Sequence, residues 1–487
     1  MKSATDTGAT PSTTRRILGR FGHLVSAQGV EGITSAVFFL YLAWLNSDAY
    51  GQVMYAMAAG AMVMKVVQFG LYVPLVSDLT KRPAGDAPGL LNQANLIKLI
   101  LLVPTMAVTA GLALVRGFSG QMAAILLLIC LGHGLEALAE TFFADFRVRG
   151  RQSGEARIKM AASVASYGFG FLSAFLGGPS VLVACFKLIS GLIRLVPAAR
   201  PYLADSVAAL RSSLVREPVW SLFKAASVFA VIQILGTLYN KTNIFFMEGA
   251  VGIKGVAIYS ATWNLVDPIS VLASEQLLGW VIFPLLAMYW IQDRDRAGRL
   301  VRTNALWLML IALPLMFVLS AESDLIIGLI YPDEYQPAAV LQQYLVWTIF
   351  ISFESNLLAY VMMVAGAART LLIFAIVTSV LNLLFNLALV GPLGLAGGCL
   401  VIVLTKLVML LMVLAYCQKA YQLFSWRDLV FPVSVAGAGL VLFVVLDHLL
   451  MREIATSIIL VLYGLAVWKA GPGFAGRMAP ATGSKTP

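Results

Sequence analysis

The stretch Val219–Met247, VWSLFKAASVFAVIQILGTLYNKTNIFFM, decides what kind of protein this is. It is apolar over most of its length and carries Tyr239-Asn240-Lys241-Thr242-Asn243 near its end. As a helix it is long enough to cross the roughly 30 Å hydrocarbon core of a bilayer. It also stands close to the midpoint of a 487-residue chain. A lysine inside such a segment costs about 2.5–3.5 kcal/mol to insert, so it faces protein or a watery cavity instead of lipid. Lys241 is therefore the first candidate functional residue.

Outward from this stretch the same pattern repeats. Hydrophobic residues make up 60% of the chain and charged residues 12%, too apolar a balance for a soluble protein of this size. The apolar runs have the length of membrane helices and lack the alternation of barrel strands, so the fold class is all-α, a polytopic membrane protein. Fourteen spans are predicted, near 24–45, 52–76, 94–115, 121–144, 159–177, 180–198, 220–247, 256–290, 303–320, 338–364, 371–390, 395–416, 430–446 and 455–470. The eighth is long enough to be tilted, or kinked at Pro268 or Pro284.

Charge placement orients these spans. With the N-terminus inside, the basic residues of the connecting segments and the adjoining span ends, Lys81, Arg82, Lys98, Arg147 and Lys159 among them, fall on the cytoplasmic side. Only Arg116, Lys254 and Arg452 fall outside. That asymmetry selects an even number of spans with both termini cytoplasmic. It also accounts for the formal charge of +10, which shows none of the aromatic interleaving of a nucleic-acid surface. Cys130, Cys185, Cys399 and Cys417 have no short metal-ligand spacing and read as small core residues.

The organisation that follows is a disordered cytoplasmic tail over 1–20, an N-terminal lobe of six helices over 21–200, a linker over 201–218, a C-terminal lobe of six helices over 219–418, and two more helices with a tail over 419–487. The linker, PYLADSVAALRSSLVREP, spaces Leu203, Val207, Leu210 and Leu214 as one face of an amphipathic helix at the membrane surface; the alternative is a solvated tether. The lobes echo each other weakly. Gly51-Gln52-Val53-Met54-Tyr55-Ala56 and Gly255-Val256-Ala257-Ile258-Tyr259-Ser260 each open a second helix, as in parallel-repeat transporters.

Four stretches carry a resemblance to a known family: Leu45-Asn46-Ser47-Asp48-Ala49-Tyr50-Gly51-Gln52-Val53-Met54-Tyr55 with Gln68-Phe69-Gly70-Leu71; Asn240-Lys241-Thr242-Asn243 through Ala261; Phe283-Pro284; and Gly366-Ala367-Ala368-Arg369-Thr370 followed by Asn382, Asn386 and Gly391-Pro392-Leu393-Gly394-Leu395-Ala396-Gly397-Gly398. In these the chain resembles the polysaccharide-exporter branch of the flippase superfamily that also includes multidrug exporters and lipid II flippases. The resemblance implies two pseudo-symmetric lobes around a central cavity and export of an undecaprenyl-diphosphate-linked oligosaccharide to the periplasmic leaflet of a bacterial inner membrane. It implies membrane lipid and other polysaccharide-assembly membrane proteins as partners. The family often has an acid about where Asn243 stands, which leaves Lys241 without that local neutralising partner.

A lipid-linked diphosphate needs cations. Lys65, Lys187, Lys241 and Lys406 lie within spans, and a lysine binds phosphate as a mobile point charge. The competing reading is that each snorkels or pairs with an intramembrane acid such as Glu31, Glu275 or Glu354. Arg369 stands at the cytoplasmic mouth, as a first contact for the diphosphate or as an ordinary topology charge, and Asn243 is a polar cavity candidate beside Lys241. His133, Glu136 and Glu140, at offsets of zero, three and seven, share one helix face and are candidates to couple transport to a proton or sodium ion; Glu140 is also within reach of Arg147 or Arg149. Asp267, before Pro268, and Glu31 are further coupling candidates. No second ligand pair supports a metal site, and no cofactor is expected beyond a coupling ion. No nucleophile constellation or phosphate loop points to an enzyme. The rivals are an ion-coupled multidrug exporter, which would favour carboxylates and aromatic faces over lysines, and a membrane-embedded glycan polymerase or ligase, which would carry a large basic outside loop.

Overall fold

The structure, a computed structural model, describes residues 11–81, 83, 85, 87–202, 219–271, 278, 279, 282–423 and 426–478. Every regular element among them is helical. In chain order these are α1 (Pro11–Leu45), α2 (Ser47–Gln68), α3 (Tyr72–Lys81), α4 (Ala87–Val115), α5 (Gly120–Val148), α6 (Gln152–Phe175), α7 (Ser180–Ala199), α8 (Val219–Val271), α9 (Phe283–Gln292), α10 (Arg294–Ala321), α11 (Ser323–Ile330), α12 (Pro337–Leu345), α13 (Trp347–Val364), α14 (Ala368–Phe385), α15 (Gly391–Tyr421), α16 (Trp426–Leu449) and α17 (Arg452–Met478).

Among the described residues nine helices are long and apolar enough to cross a bilayer, ten if the bent pair α2 and α3 is one span. Two of the nine are 52 and 54 residues long. At 1.5 Å per residue each would reach about 80 Å, far beyond one bilayer crossing. Each is broken by a glycine with positive φ, Gly252 at 75° and Gly394 at 55°, so each holds two helices. The last two apolar runs form α16 and α17, and the described residues of the predicted spans fall on helices apart from short turns such as that between α2 and α3.

Three sequence expectations need correction or qualification. The N-terminal tail is helical from Pro11, where Arg15 to Leu18 continue the first span as good helix formers, instead of disordered to residue 20. Pro284 sits in the first turn of α9, where a missing N–H costs nothing, instead of kinking a helix interior. The predicted amphipathic segment lies outside the described residues from 203 to 218.

The chain divides into two compact units, Met1–Lys241 and Thr242–Pro487. The sequence reading starts the second lobe at residue 219, but packing places the opening of α8 with the first unit. Leu222 and Ala226 are buried in one apolar cluster with Leu71, Leu75, Leu91, Phe142 and Phe143. Phe223 stacks on Phe69 at 4.3 Å between ring centroids. A Cβ on Gly70 would lie 2.4 Å from the Ala230 nitrogen, so only glycine lets α8 close on the turn between α2 and α3. That turn bends the pair by 40°.

At the heart of the first unit α5 crosses α7 at paired glycines. A Cβ on Gly132 would stand 2.5 Å from the Lys187 carbonyl, and one on Gly191 would stand 2.7 Å from the Gly132 oxygen. Small residues at such a crossing let backbones touch, the main source of helix association in lipid. Gly132→Ala is expected to destabilise the protein by about 1–3 kcal/mol, an overpacking penalty. Gly168→Ala, with nothing within 4 Å of the new methyl, should leave thermal unfolding in detergent unchanged.

In the second unit Met247 of α8 packs into Gly398 of α15, where an added Cβ would meet its sulfur at 2.2 Å. The segment 321–337, between two of the predicted spans, holds α11 and a short 3₁₀ turn, Asp333–Tyr335. Its Tyr331 hydroxyl donates to the Ala261 carbonyl at 3.2 Å.

Candidate functional site

The polar stripe of α5 organises the first unit. His133, Glu136, Glu140 and Arg147 follow one another at helical spacing, and α7 answers with Lys187, Ser190 and Arg194 at offsets of zero, three and seven. The glycine crossing brings the stripes face to face. Lys187 Nζ lies 2.8 Å from Glu136 Oε2. Ser190 donates to Glu136 Oε1 at 2.7 Å. Arg194 stands 3.6 Å from the same oxygen and donates to Glu31 Oε1 of α1 at 2.6 Å. Two carboxylates thus face two cations in a buried, charge-balanced chain. His133 stands apart from it, its Nδ1 at 3.0 Å from the Ile129 carbonyl and its ring filling the space left by Gly60.

About one turn further along α5, at Glu140, a second balanced group forms. Glu140 binds Arg147 at 2.9 Å and Lys159 at 2.7 Å, while the fully buried Glu155 binds the same two cations. Arg147 also lies over the Tyr72 ring, 5.4 Å from its centroid. With both acids matched, Arg147 and Lys159 bring no excess charge to their surroundings.

Beside this group opens a cavity of about 210 Å³ whose lining includes Lys65, Gln68, Lys98, Thr141 and Gln233 together with Glu140 and Arg147. Its walls come from α2, α3, α4, α5 and the opening of α8, with the turn at Gly70 and Leu71 between α2 and α3. Here the charge does not balance. Lys65 reaches only the amide oxygen of Gln68, at 3.4 Å, and the buried Lys98 donates to the Ala137 carbonyl at 2.5 Å. Neither lysine has a carboxylate at ion-pair distance among the described residues. The Thr141 hydroxyl is buried without a partner. Two lysine side chains outside any ion pair, an unsatisfied hydroxyl and two glutamine side chains in one hollow are groups that suit a compact anion.

Comparison with known proteins fixes the family. Residues 42–340 match the family model described as "Polysaccharide biosynthesis protein". The chain belongs to this family. No curated protein matches it. Its fold is similar to that of "Lipid II flippase MurJ, inward closed conformation", with a TM-score of 0.64 at 11% identity over 91% of this chain and 98% of that one. It is also similar to a MOP superfamily transporter from Pyrococcus furiosus, with a TM-score of 0.55 at 14% identity over 83% and 94%. A MATE transporter gives 0.52 at 16% identity over 82% and 94%. This polysaccharide biosynthesis protein thus has the two-lobe fold of that superfamily, and its structural neighbours are transporters and flippases.

The remaining sequence candidates scatter. Lys187 and Glu136, expected in separate anion-binding and ion-coupling roles, are partners of each other. Glu140 is held by two cations and Glu31 by Arg194. Lys241 is half-buried and has interactions of its own, so it is not the lone charge that the amide at Asn243 suggests. Asn243 is fully buried; its amide donates to the Tyr259 hydroxyl at 2.7 Å while its oxygen has no partner. Lys406 donates to Ser352 at 2.9 Å and lies over the Trp263 ring at 5.3 Å. Asn382 donates across to Thr405 at 3.0 Å, and Asn386 to the Asn382 carbonyl at 2.8 Å. Asp267 is half-buried on α8, Arg369 is exposed at the start of α14, and Glu275 lies outside the described residues. No group of three or more metal-ligating side chains occurs among the described residues.

Sequence reasoning misses Lys98, which it counts as a loop charge. The polar run Asn92, Gln93, Asn95 hides that the helix already begins at Ala87. The apolar residues flanking Lys98 on both sides, LIKLILL, were the available signal.

Proposed function

We propose that this polysaccharide biosynthesis protein moves an undecaprenyl-diphosphate-linked oligosaccharide from the cytoplasmic to the periplasmic leaflet of the bacterial inner membrane, by alternating access of its two lobes. The observation that carries the reading is the cavity holding Lys65 and Lys98, two lysines outside any ion pair among the described residues, beside the paired Glu140 and Arg147. Lysines suit a diphosphate that must be released after reorientation, because a point charge holds no rigid bidentate geometry. The basic residues at this end of α2 and α5 make it the cytoplasmic end under the positive-inside rule, where such a cargo is loaded. Both termini then lie in the cytoplasm. The lipid II flippase of similar fold supports the reading, since by its name it carries a lipid-linked cargo.

A cationic drug would meet repulsion in this cavity, which sets the multidrug reading below the glycan one. The coupling ion is assigned among Glu31, His133, Glu136, Glu140 and Asp267, of which Asp267 alone of the carboxylates is not already in an ion pair. Deleting the gene is expected to make one lipid-diphosphate glycan accumulate on the cytoplasmic leaflet, identified by mass spectrometry of extracted lipids. If no such lipid accumulates, the assignment of cargo fails.

A further inference from the structure

We propose that a second, separate pocket in the unit Thr242–Pro487 binds the headgroup of an anionic phospholipid of the surrounding leaflet. This pocket, about 360 Å³, lies where α9 ends, α10 begins and α15 ends. Its lining includes Trp290, Arg294, Asp295, Arg299, Arg302 and Tyr421. Three guanidinium groups face one carboxylate, an excess of two positive charges.

The side chains are arranged for an anion that arrives from the membrane. Arg294 lies over the Trp290 ring, its guanidinium carbon 5.7 Å from the centroid, and Trp290 meets Tyr421 edge-on at 5.1 Å. A guanidinium held over an aromatic face by cation–π attraction keeps its N–H donors for a phosphate. The Arg299 side chain is exposed and makes no ion pair among the described residues. Arg302 donates to the carbonyls of Leu423 and of Gln422, the left-handed cap of α15 with φ 49°. It shapes the pocket floor while its charge stays in the pocket.

The position separates a lipid from a free phosphate, whose headgroup chemistry is the same. Just before the arginines, α9 exposes Met288 and Ile291, the latter 88% accessible; just after them α10 exposes Trp307 and Ile311. Charged residues thus fill the first turns of α10 and lipid-facing apolar residues flank them on either side along the chain. Tyr289, Trp290 and Tyr421 mark the interfacial aromatic level. A ligand that fits both features has a phosphate at the arginines and acyl chains against Met288, Ile291 and Ile311. Such a lipid is a bound neighbour, independent of the transported cargo.

The test uses the full-length protein in uncharged detergent and native mass spectrometry. Wild type is expected to retain phosphatidylglycerol and not phosphatidylcholine. Arg294→Gln with Arg299→Gln should weaken phosphatidylglycerol binding about thirtyfold, the share of two surface cations in anionic-lipid attraction. Arg294→Lys with Arg299→Lys should stay within a few-fold of wild type, which separates lost charge from misfolding. Millimolar inorganic phosphate should not displace the lipid. Equal affinity in the glutamine variant, equal retention of phosphatidylcholine, or displacement by free phosphate would each overturn the proposal.

Discussion

Replacing Lys65 and Lys98 together, as Lys65→Gln with Lys98→Met, is expected to lower export of the diphosphate-linked glycan at least about a hundredfold while leaving the protein folded in the membrane. Each lysine offers a charge-assisted contact worth about 1.5–3 kcal/mol, and two of them exceed the 2.7 kcal/mol of a hundredfold change. The exposed Lys224 supplies the control, since Lys224→Gln removes the same charge from outside the cavity. Stability gives the sharper discrimination. Lys98 is 3% exposed, and among the described residues its hydrogen-bond partner is the Ala137 backbone carbonyl. An ammonium buried so poorly compensated costs free energy, and an isosteric apolar chain removes that cost. Lys98→Met should therefore keep or raise the midpoint of thermal unfolding while transport falls. A lysine retained for structure would show the opposite pairing, and unimpaired transport in the double variant would remove the cavity from the mechanism.

How far the sequence led to this cavity depends on which interaction carried the information. The spans were legible because lipid imposes long apolar runs, and the breaks at Gly252 and Gly394 fall between runs that were already separable. Lys98 was not legible as a cavity residue, because a charge count treats any lysine near the start of an apolar run as a loop charge. The opening of α8 was not legible as part of the first unit, because Leu222, Phe223 and Ala226 look the same whichever unit buries them. The offsets of His133, Glu136 and Glu140 correctly described one face of α5, yet offsets do not name the partner. That partner lies on a helix whose approach is set by Gly132 and Gly191, a tertiary contact with no local signature.

The same crossing leads to the second large effect. Glu136→Leu is expected to destabilise the first unit by about 3–5 kcal/mol, the cost of leaving a buried charge without its partner. Glu136 neutralises Lys187 directly at 2.8 Å and contributes to Arg194 at 3.6 Å. Lys187→Met should cost less, because Glu136 keeps the Ser190 hydroxyl at 2.7 Å and Arg194 nearby, and Arg194 keeps Glu31 at 2.6 Å. The double variant Glu136→Leu with Lys187→Met removes both charges from the crossing and should recover most of the loss, since a matched pair replaced by apolar residues of similar volume is often neutral or stabilising. The cycle is read from thermal unfolding of the purified protein in detergent. If the two single losses simply add in the double variant, Glu136 and Lys187 are not coupled and the close ion pair does not hold α5 to α7. Coupling together with intact glycan export in the stable double variant would make the pair a structural lock and take Glu136 out of the ion-coupling set. Coupling together with lost export would keep it there, because the pair would then be needed for turnover after the fold had been restored.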